Sequence, residues 1–255
     1  MSSRNQSLIR SLNIVVFVVT VAVNSLAGAT TLLNGRTSGQ VSDTYPTLIT
    51  PAGFTFSIWS IIYILLGLFV VYQALPGQQN KPYLERISFL FILSGLLNIF
   101  WLFLWHYGFI TSSVILMFGL LASLIAIYLR LDIGKADVSL KDRICVHLPF
   151  SVYMGWITVA SIANVSVALT FVGWDAGGID PAIWAMLVIA VALLITLIII
   201  ATRKDVGYSL VIIWALGGIM AKQSDNQTMF WATGASIVVI LIALATMAVA
   251  SRMKK

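Results

Sequence analysis

Apolar stretches near bilayer length recur from residue 12 to residue 250 with only brief polar connections between them, and this decides what the chain can fold into. A hydrocarbon core about 30 Å thick takes roughly 20 helical residues to cross. Backbone amides inside it must pair within their own segment, so each stretch reads as a transmembrane helix. Candidate spans fall at 12–33, 53–75, 88–106, 109–129, 146–171, 182–202, 206–221 and 228–250, the seventh being short. The expected fold class is all-α, a polytopic transmembrane helix bundle of about eight spans. With 60% of residues hydrophobic and 9% charged, against about 25% charged in soluble domains, the chain cannot cover a soluble surface. No hydrophilic stretch is long enough for an independent soluble core.

Lysine and arginine positions test the helix number separately from hydropathy. With an inside N-terminus and eight spans, the inside segments hold thirteen of the fifteen basic residues, and the outside ones hold Arg36 and Lys222. Deleting a span would invert the alternation downstream, so the bias supports eight spans with both termini cytoplasmic. The basic residues stand in ones to threes between apolar runs, which argues against a nucleic-acid partner despite the net charge of +6. Arg4 and Arg10 precede an apolar run that reaches Ala27-Gly28-Ala29, a pattern with some signal-peptide character. The run continues to Leu33, so an uncleaved first helix is expected. Cys145 is the single cysteine, which excludes an intramolecular disulfide and any Cys-based metal spacing. No repeat is visible, which disfavours the repeat-built transporters.

All nine acidic residues lie in loops or at helix ends, so a carboxylate relay at the bilayer midplane is not expected. His106 and His147 sit near opposite ends of their helices and cannot share a metal. Interfacial hydrogen bonding is the plain expectation for both, with a haem-ligand role for His106 as the minor alternative. What remains is a set of aromatic and amide residues at helical spacing. Phe56, Trp59 and Tyr63 form one stripe in the second helix, and Asn98, Trp101, Leu102 and Trp105 form another in the third. In the fifth, Trp156, Ala160, Ala163 and Asn164 share a face, with small residues between ring and amide. An amide in hydrocarbon needs a partner, so Asn24, Asn98 and Asn164 are expected to point into the bundle, as interhelical links or as ligand contacts. Trp174, Trp184 and Trp231 lie near membrane borders and read as belt residues, while Trp214 is undecided. The long loop 34–52 can fold over a site.

These stripes resemble the TspO/MBR (tryptophan-rich sensory protein, translocator protein) family. The resemblance rests on Pro51-Ala-Gly-Phe-Thr-Phe-Ser-Ile-Trp59 leading to Tyr63; on Asn98 and Trp101 followed by Trp105-His-Tyr-Gly108; and on Pro149-Phe150 followed by Trp156 and Asn164. It covers residues 12–171, the length of a five-helix core. Loop 34–52 departs from the family in having no Trp, and 172–255 is extra. The resemblance implies two parts, a core at 1–171 and three added helices at 172–255.

It also implies an intrabundle pocket for a porphyrin, sterol or other flat apolar ligand, lined by Phe56, Trp59, Tyr63, Asn98, Trp101, Trp105, Trp156 and Asn164. Rings suit stacking on a flat face and amides suit a polar edge. No catalytic residue and no metal is assigned, no cofactor is certain, and a porphyrin- or haem-type ligand is what the resemblance allows. Weak porphyrin-degrading activity stays open, as does a homodimer. The leading expectation is a membrane receptor or carrier-like protein for a hydrophobic small molecule. The alternatives are a small-molecule transporter whose extra helices complete the path and a structural, partner-binding bundle. A Leu124, Tyr128, Arg130 sterol-type pattern reads as a helix end.

Overall fold

The computed structural model describes residues 3–253. Lys254 and Lys255 of the charge count lie outside the described residues, as does the side chain of Arg4. Among the described residues the fold is helical without a strand. Eight long helices carry it: α1 Ser3–Ala29, α2 Ile58–Ala74, α3 Leu90–His106, α4 Ile110–Arg130, α5 Leu148–Phe171, α6 Pro181–Arg203, α7 Val206–Lys222 and α8 Gln227–Met253. Each expected span corresponds to one of them.

Local chemistry sets the boundaries. The chain turns at Leu75–Pro76 because proline cannot continue the α2 hydrogen-bond ladder. The Asp180 carboxylate accepts the Ala182 and Ile183 N–H groups and Pro181 opens α6. Lys204, left-handed at φ 54°, ends α6, and Asp205 at once caps α7 by accepting the Tyr208 N–H. Ahead of α5 a π turn, Arg143–His147, loosens the ladder where Pro149 lacks a donor. The second span differs from its apolar run, since Gly53–Ser57 is a 3-10 turn and α2 proper starts at Ile58.

Six of these helices are long and apolar enough to cross a membrane, the second of them counted with its 3-10 turn; α3 and α7, at 17 residues each, are shorter. Seventeen residues span about 25 Å. Both short helices lie between neighbours, α3 between α1 and α4 and α7 between α5 and α8. A flanked helix meets more protein than lipid, so it has less hydrocarbon thickness of its own to match.

The first five helices close a ring in which α1 touches α2 and α3, α3 touches α4, α4 touches α5 and α5 touches α2. Onto α5 packs α7, with α8 and α6 beyond it. Gly155 permits the α5–α7 approach, since a Cβ there would stand 3.2 Å from Tyr208 O. Successive helices alternate in direction. At one face Arg10 Nε donates to Gln73 O (2.8 Å), the Tyr72 hydroxyl to Asp142 (3.0 Å) and Arg203 to Asp132 (2.5 Å). At the other, Asn34 Nδ2 donates to His106 O (2.6 Å) and Lys222 Nζ meets Asp43 (2.6 Å). The last turns of α8 share a groove with the end of α6, at Thr246, Met247 and Lys204, which puts them on the same face as the start of α1. This basic face carries the loops counted as inside, and Arg36 and Lys222 lie on the opposite, lid face.

Candidate ligand-binding site

The three stripes meet inside the ring near the lid face. Trp59 stacks on Tyr63 with centroids 5.4 Å apart, and Trp101 stacks on Trp105 at 5.8 Å. Both are i, i+4 pairs, set by helical rise alone. Trp156 of α5 meets Phe56 at 5.9 Å and Trp59 at 6.3 Å, in each case edge to face. Tyr153, one turn earlier, meets Trp59 at 6.0 Å.

Two spaces share this aromatic wall. The inner cavity, about 40 Å³, is lined by Phe56, Trp59, Trp101, Trp105, Trp156 and Asn164, with Ala160 and Ala163 leaving room and Ser42 and Pro51 of the long loop closing it. The outer cleft, about 540 Å³, opens between α1, the loop, α2 and α3. Phe56, Trp59 and Trp101 border both, and Tyr63, Asn24 and Gly28 border the cleft. Ligand pockets usually measure about 300–1,000 Å³, so the smaller inner space holds at most a substituent and the cleft has the volume of a whole small molecule.

The long loop lies over this region. Its short helix, Ser38–Asp43, carries a capping box from Thr37 and Gln40, and Trp105 Nε1 donates to Ser38 O at 3.4 Å. The loop therefore covers the site without tryptophans of its own.

Of the expected site residues, seven line one or both spaces, and Asn98 lines neither. Asn98 Oδ1 instead accepts Asn24 Nδ2 at 2.7 Å, tying α3 to α1 behind the wall. Asn164 is occupied as well: its Oδ1 accepts Trp101 Nε1 (2.9 Å) and its Nδ2 donates to Ser113 Oγ (3.0 Å). These amides link helices and fix the angle of the Trp101 ring. Three buried polar atoms around the wall have no hydrogen-bond partner: Tyr63 OH, whose residue borders the cleft, Trp156 Nε1, whose residue borders the inner cavity, and Asn98 Nδ2, whose residue borders neither. All three can donate a hydrogen bond.

Elsewhere, His106 is buried with Nδ1 3.1 Å from Leu102 O, and no group of three or more His, Cys, Asp or Glu side chains converges among the described residues. The Tyr128 hydroxyl of the sterol-type pattern is buried and donates to Asp205 (2.9 Å). Trp174 and Trp184 meet each other at 5.0 Å, and Trp231 is exposed. Sequence reasoning missed Phe54, Ser25 and Gly28 at the cleft and the part taken by Trp214, described below. Asn24, Ser25 and Gly28, polar and small residues close together near the end of α1, were the available signal for that helix.

Fold and site together define a polytopic helical membrane protein with an aromatic, loop-covered cleft of ligand size. The chain belongs to the TSPO-like protein family, whose pattern matches residues 10–248. The match runs from the first turns of α1 to the last turns of α8, so it takes in all eight long helices. No curated protein and no solved structure matches the chain. Family membership points to a membrane ligand-binding or transport protein.

Proposed function

We propose that this protein is a membrane receptor or carrier-like protein for a flat, mostly apolar ligand of the tetrapyrrole or sterol-like class, bound in the outer cleft against Phe56, Trp59, Tyr63 and Trp101. The observation that carries the reading is an aromatic wall on a cleft of about 540 Å³, backed by two buried donors without partners, Tyr63 OH on a cleft residue and Trp156 Nε1 on a residue of the inner cavity. Rings gain by stacking against such a wall. Unpaired buried donors favour a ligand that brings acceptors, such as carbonyl, carboxylate or ring nitrogen groups. The inner cavity takes an edge substituent.

The transport reading has less support. Between the cleft and the basic face the interior is filled by Ile62, Leu66, Phe69, Phe91 and Phe150, all buried. A path there would need these side chains to part. In our reading the basic face is cytoplasmic, residues 1–171 form the binding core and 172–255 brace it.

Titration with protoporphyrin in detergent or nanodiscs tests the assignment through tryptophan fluorescence. Saturable quenching is expected, and the Trp101→Phe, Trp156→Phe double variant should raise Kd by about tenfold, the loss of roughly 1.4 kcal/mol of ring contacts. An unchanged Kd in the double variant removes the ligand from this site.

A further inference from the structure

Among the helices beyond the five-membered ring, α7 reaches the turn that borders the site. Trp214 Nε1 of α7 donates to Thr55 O at 3.0 Å, and the Ala52 N–H donates to Gly218 O at 3.0 Å. The Phe54 ring meets Trp214 edge to face at 5.6 Å. One turn further along α7, Lys222 Nζ lies 2.6 Å from Asp43 Oδ1, at the end of the short loop helix. Together these contacts fasten the Gly53–Ser57 turn, which carries Phe56, and the short helix, which carries Ser42.

Close approach depends on Gly218. A Cβ there would overlap Thr55 Oγ1 and stand 2.9 Å from Thr55 Cγ2. Thr55 is fully buried and its hydroxyl has no hydrogen-bond partner, so its side chain contributes shape at this contact. The amide and indole bonds around it supply the polar attraction.

From this geometry we propose that α7 is a latch that holds the 53–57 turn closed over the aromatic cleft, with Gly218 and Trp214 as positioning residues that set how readily a ligand enters. The ligand part of this proposal rests on the function proposed above; the closed turn does not.

Full-length protein in nanodiscs provides the test, with hydrogen exchange of the 52–57 amides read beside the association rate of protoporphyrin. Gly218→Ala should speed exchange at 52–57 by about tenfold, the scale of one lost hydrogen-bonded contact, while exchange in α8 stays at the wild-type rate. The association rate should change with it. Thr55→Ala alone should leave both readouts near wild type, and Thr55→Ala with Gly218→Ala should restore both in part, because Oγ1 and Cγ2 are gone while the Cβ of residue 55 still stands 3.0 Å from the added methyl. Trp214→Phe keeps the ring and removes the donor, so it should shift both readouts in the same direction as Gly218→Ala, and it carries the test where Gly218→Ala does not fold.

Unchanged exchange in both single α7 variants overturns the latch, as does a Thr55→Ala, Gly218→Ala protein whose exchange at 52–57 is no closer to wild type than that of Gly218→Ala. Faster exchange with an unchanged association rate, in protein that binds protoporphyrin, overturns the control of entry. If wild-type protein binds no protoporphyrin, the proposed ligand falls and exchange alone still decides whether α7 closes the turn.

Discussion

Asp205 is a buried polar junction between three helices. It is 7% exposed, and its carboxylate joins three helices: Oδ1 accepts Ser151 Oγ of α5 at 2.6 Å and the Tyr208 N–H of α7 at 3.1 Å, while Oδ2 accepts the Tyr128 hydroxyl of α4 at 2.9 Å. Replacing it with alanine removes an N-cap, which costs about 1 kcal/mol. It also strands two buried hydroxyls, each costing about 1–3 kcal/mol when left unpaired. Ser151 can turn back to a carbonyl of its own helix, which keeps its share near the low end. The expected loss for Asp205→Ala is therefore about 3 kcal/mol.

Asn at this position keeps one acceptor for Ser151 and the Tyr208 N–H, and its NH2 can donate to the Tyr128 oxygen. That change should cost only about 1 kcal/mol. Reversible unfolding in mixed micelles under increasing denaturing detergent measures both. A loss below about 1 kcal/mol for Asp205→Ala, or equal losses for the two variants, would refute the reasoning, because it would mean that α7 is not fastened to the ring through this carboxylate.

Three further outcomes follow from the same kind of contact. Asn164→Leu should destabilise by about 1–3 kcal/mol by stranding Trp101 Nε1, and should also shift the Trp101 contribution to near-ultraviolet circular dichroism; an unaltered spectrum would show that the ring is held without the amide. Gln73→Leu removes the acceptor of Asn13 Nδ2 (2.9 Å) between α1 and α2, for an expected loss of about 0.6–1.7 kcal/mol in the same unfolding assay. For topology, Cys145→Ala protein carrying Lys135→Cys should react with a membrane-impermeant thiol reagent only from the cytoplasmic side, and protein carrying Asp225→Cys only from the outside. Labelling of both from one side would contradict the alternation.

Helix number and alternation were legible in the sequence, while boundaries were less so: α1 runs Ser3–Ala29 where 12–33 was expected, and α2 proper begins at Ile58, five residues into its apolar run. Hydrocarbon forces each apolar run to satisfy its own backbone, and charge placement then orders the runs, so one-dimensional information suffices. The Trp59, Trp101 and Trp156 stripes were legible for a related reason, since an i, i+3, i+4 or i+7 spacing fixes a shared face without knowledge of any neighbour. Direction was the limit. That Asn24, Asn98 and Asn164 must face inward followed from the cost of an unpaired amide, but whether each would meet a ligand or another helix depended on which side chain stood opposite. For Asn98 it is Asn24, and for Asn164 it is Trp101 and Ser113.

Other features exist only in three dimensions. The short lengths of α3 and α7 suit helices flanked by protein. The division of the site into an inner cavity and an outer cleft depends on how far apart α1, α2 and α3 stand. Trp214 had no readable role because its partner, Thr55 O, lies 159 residues away and is a backbone atom, which carries no sequence signal. The sequence by itself determined that this is a bundle of alternating membrane helices with aromatic stripes. Tertiary structure decided that the stripes close on one another, that the amides are spent on holding them, and that α7 holds the turn above them, because contacts between distant helices depend on packing that no local period records.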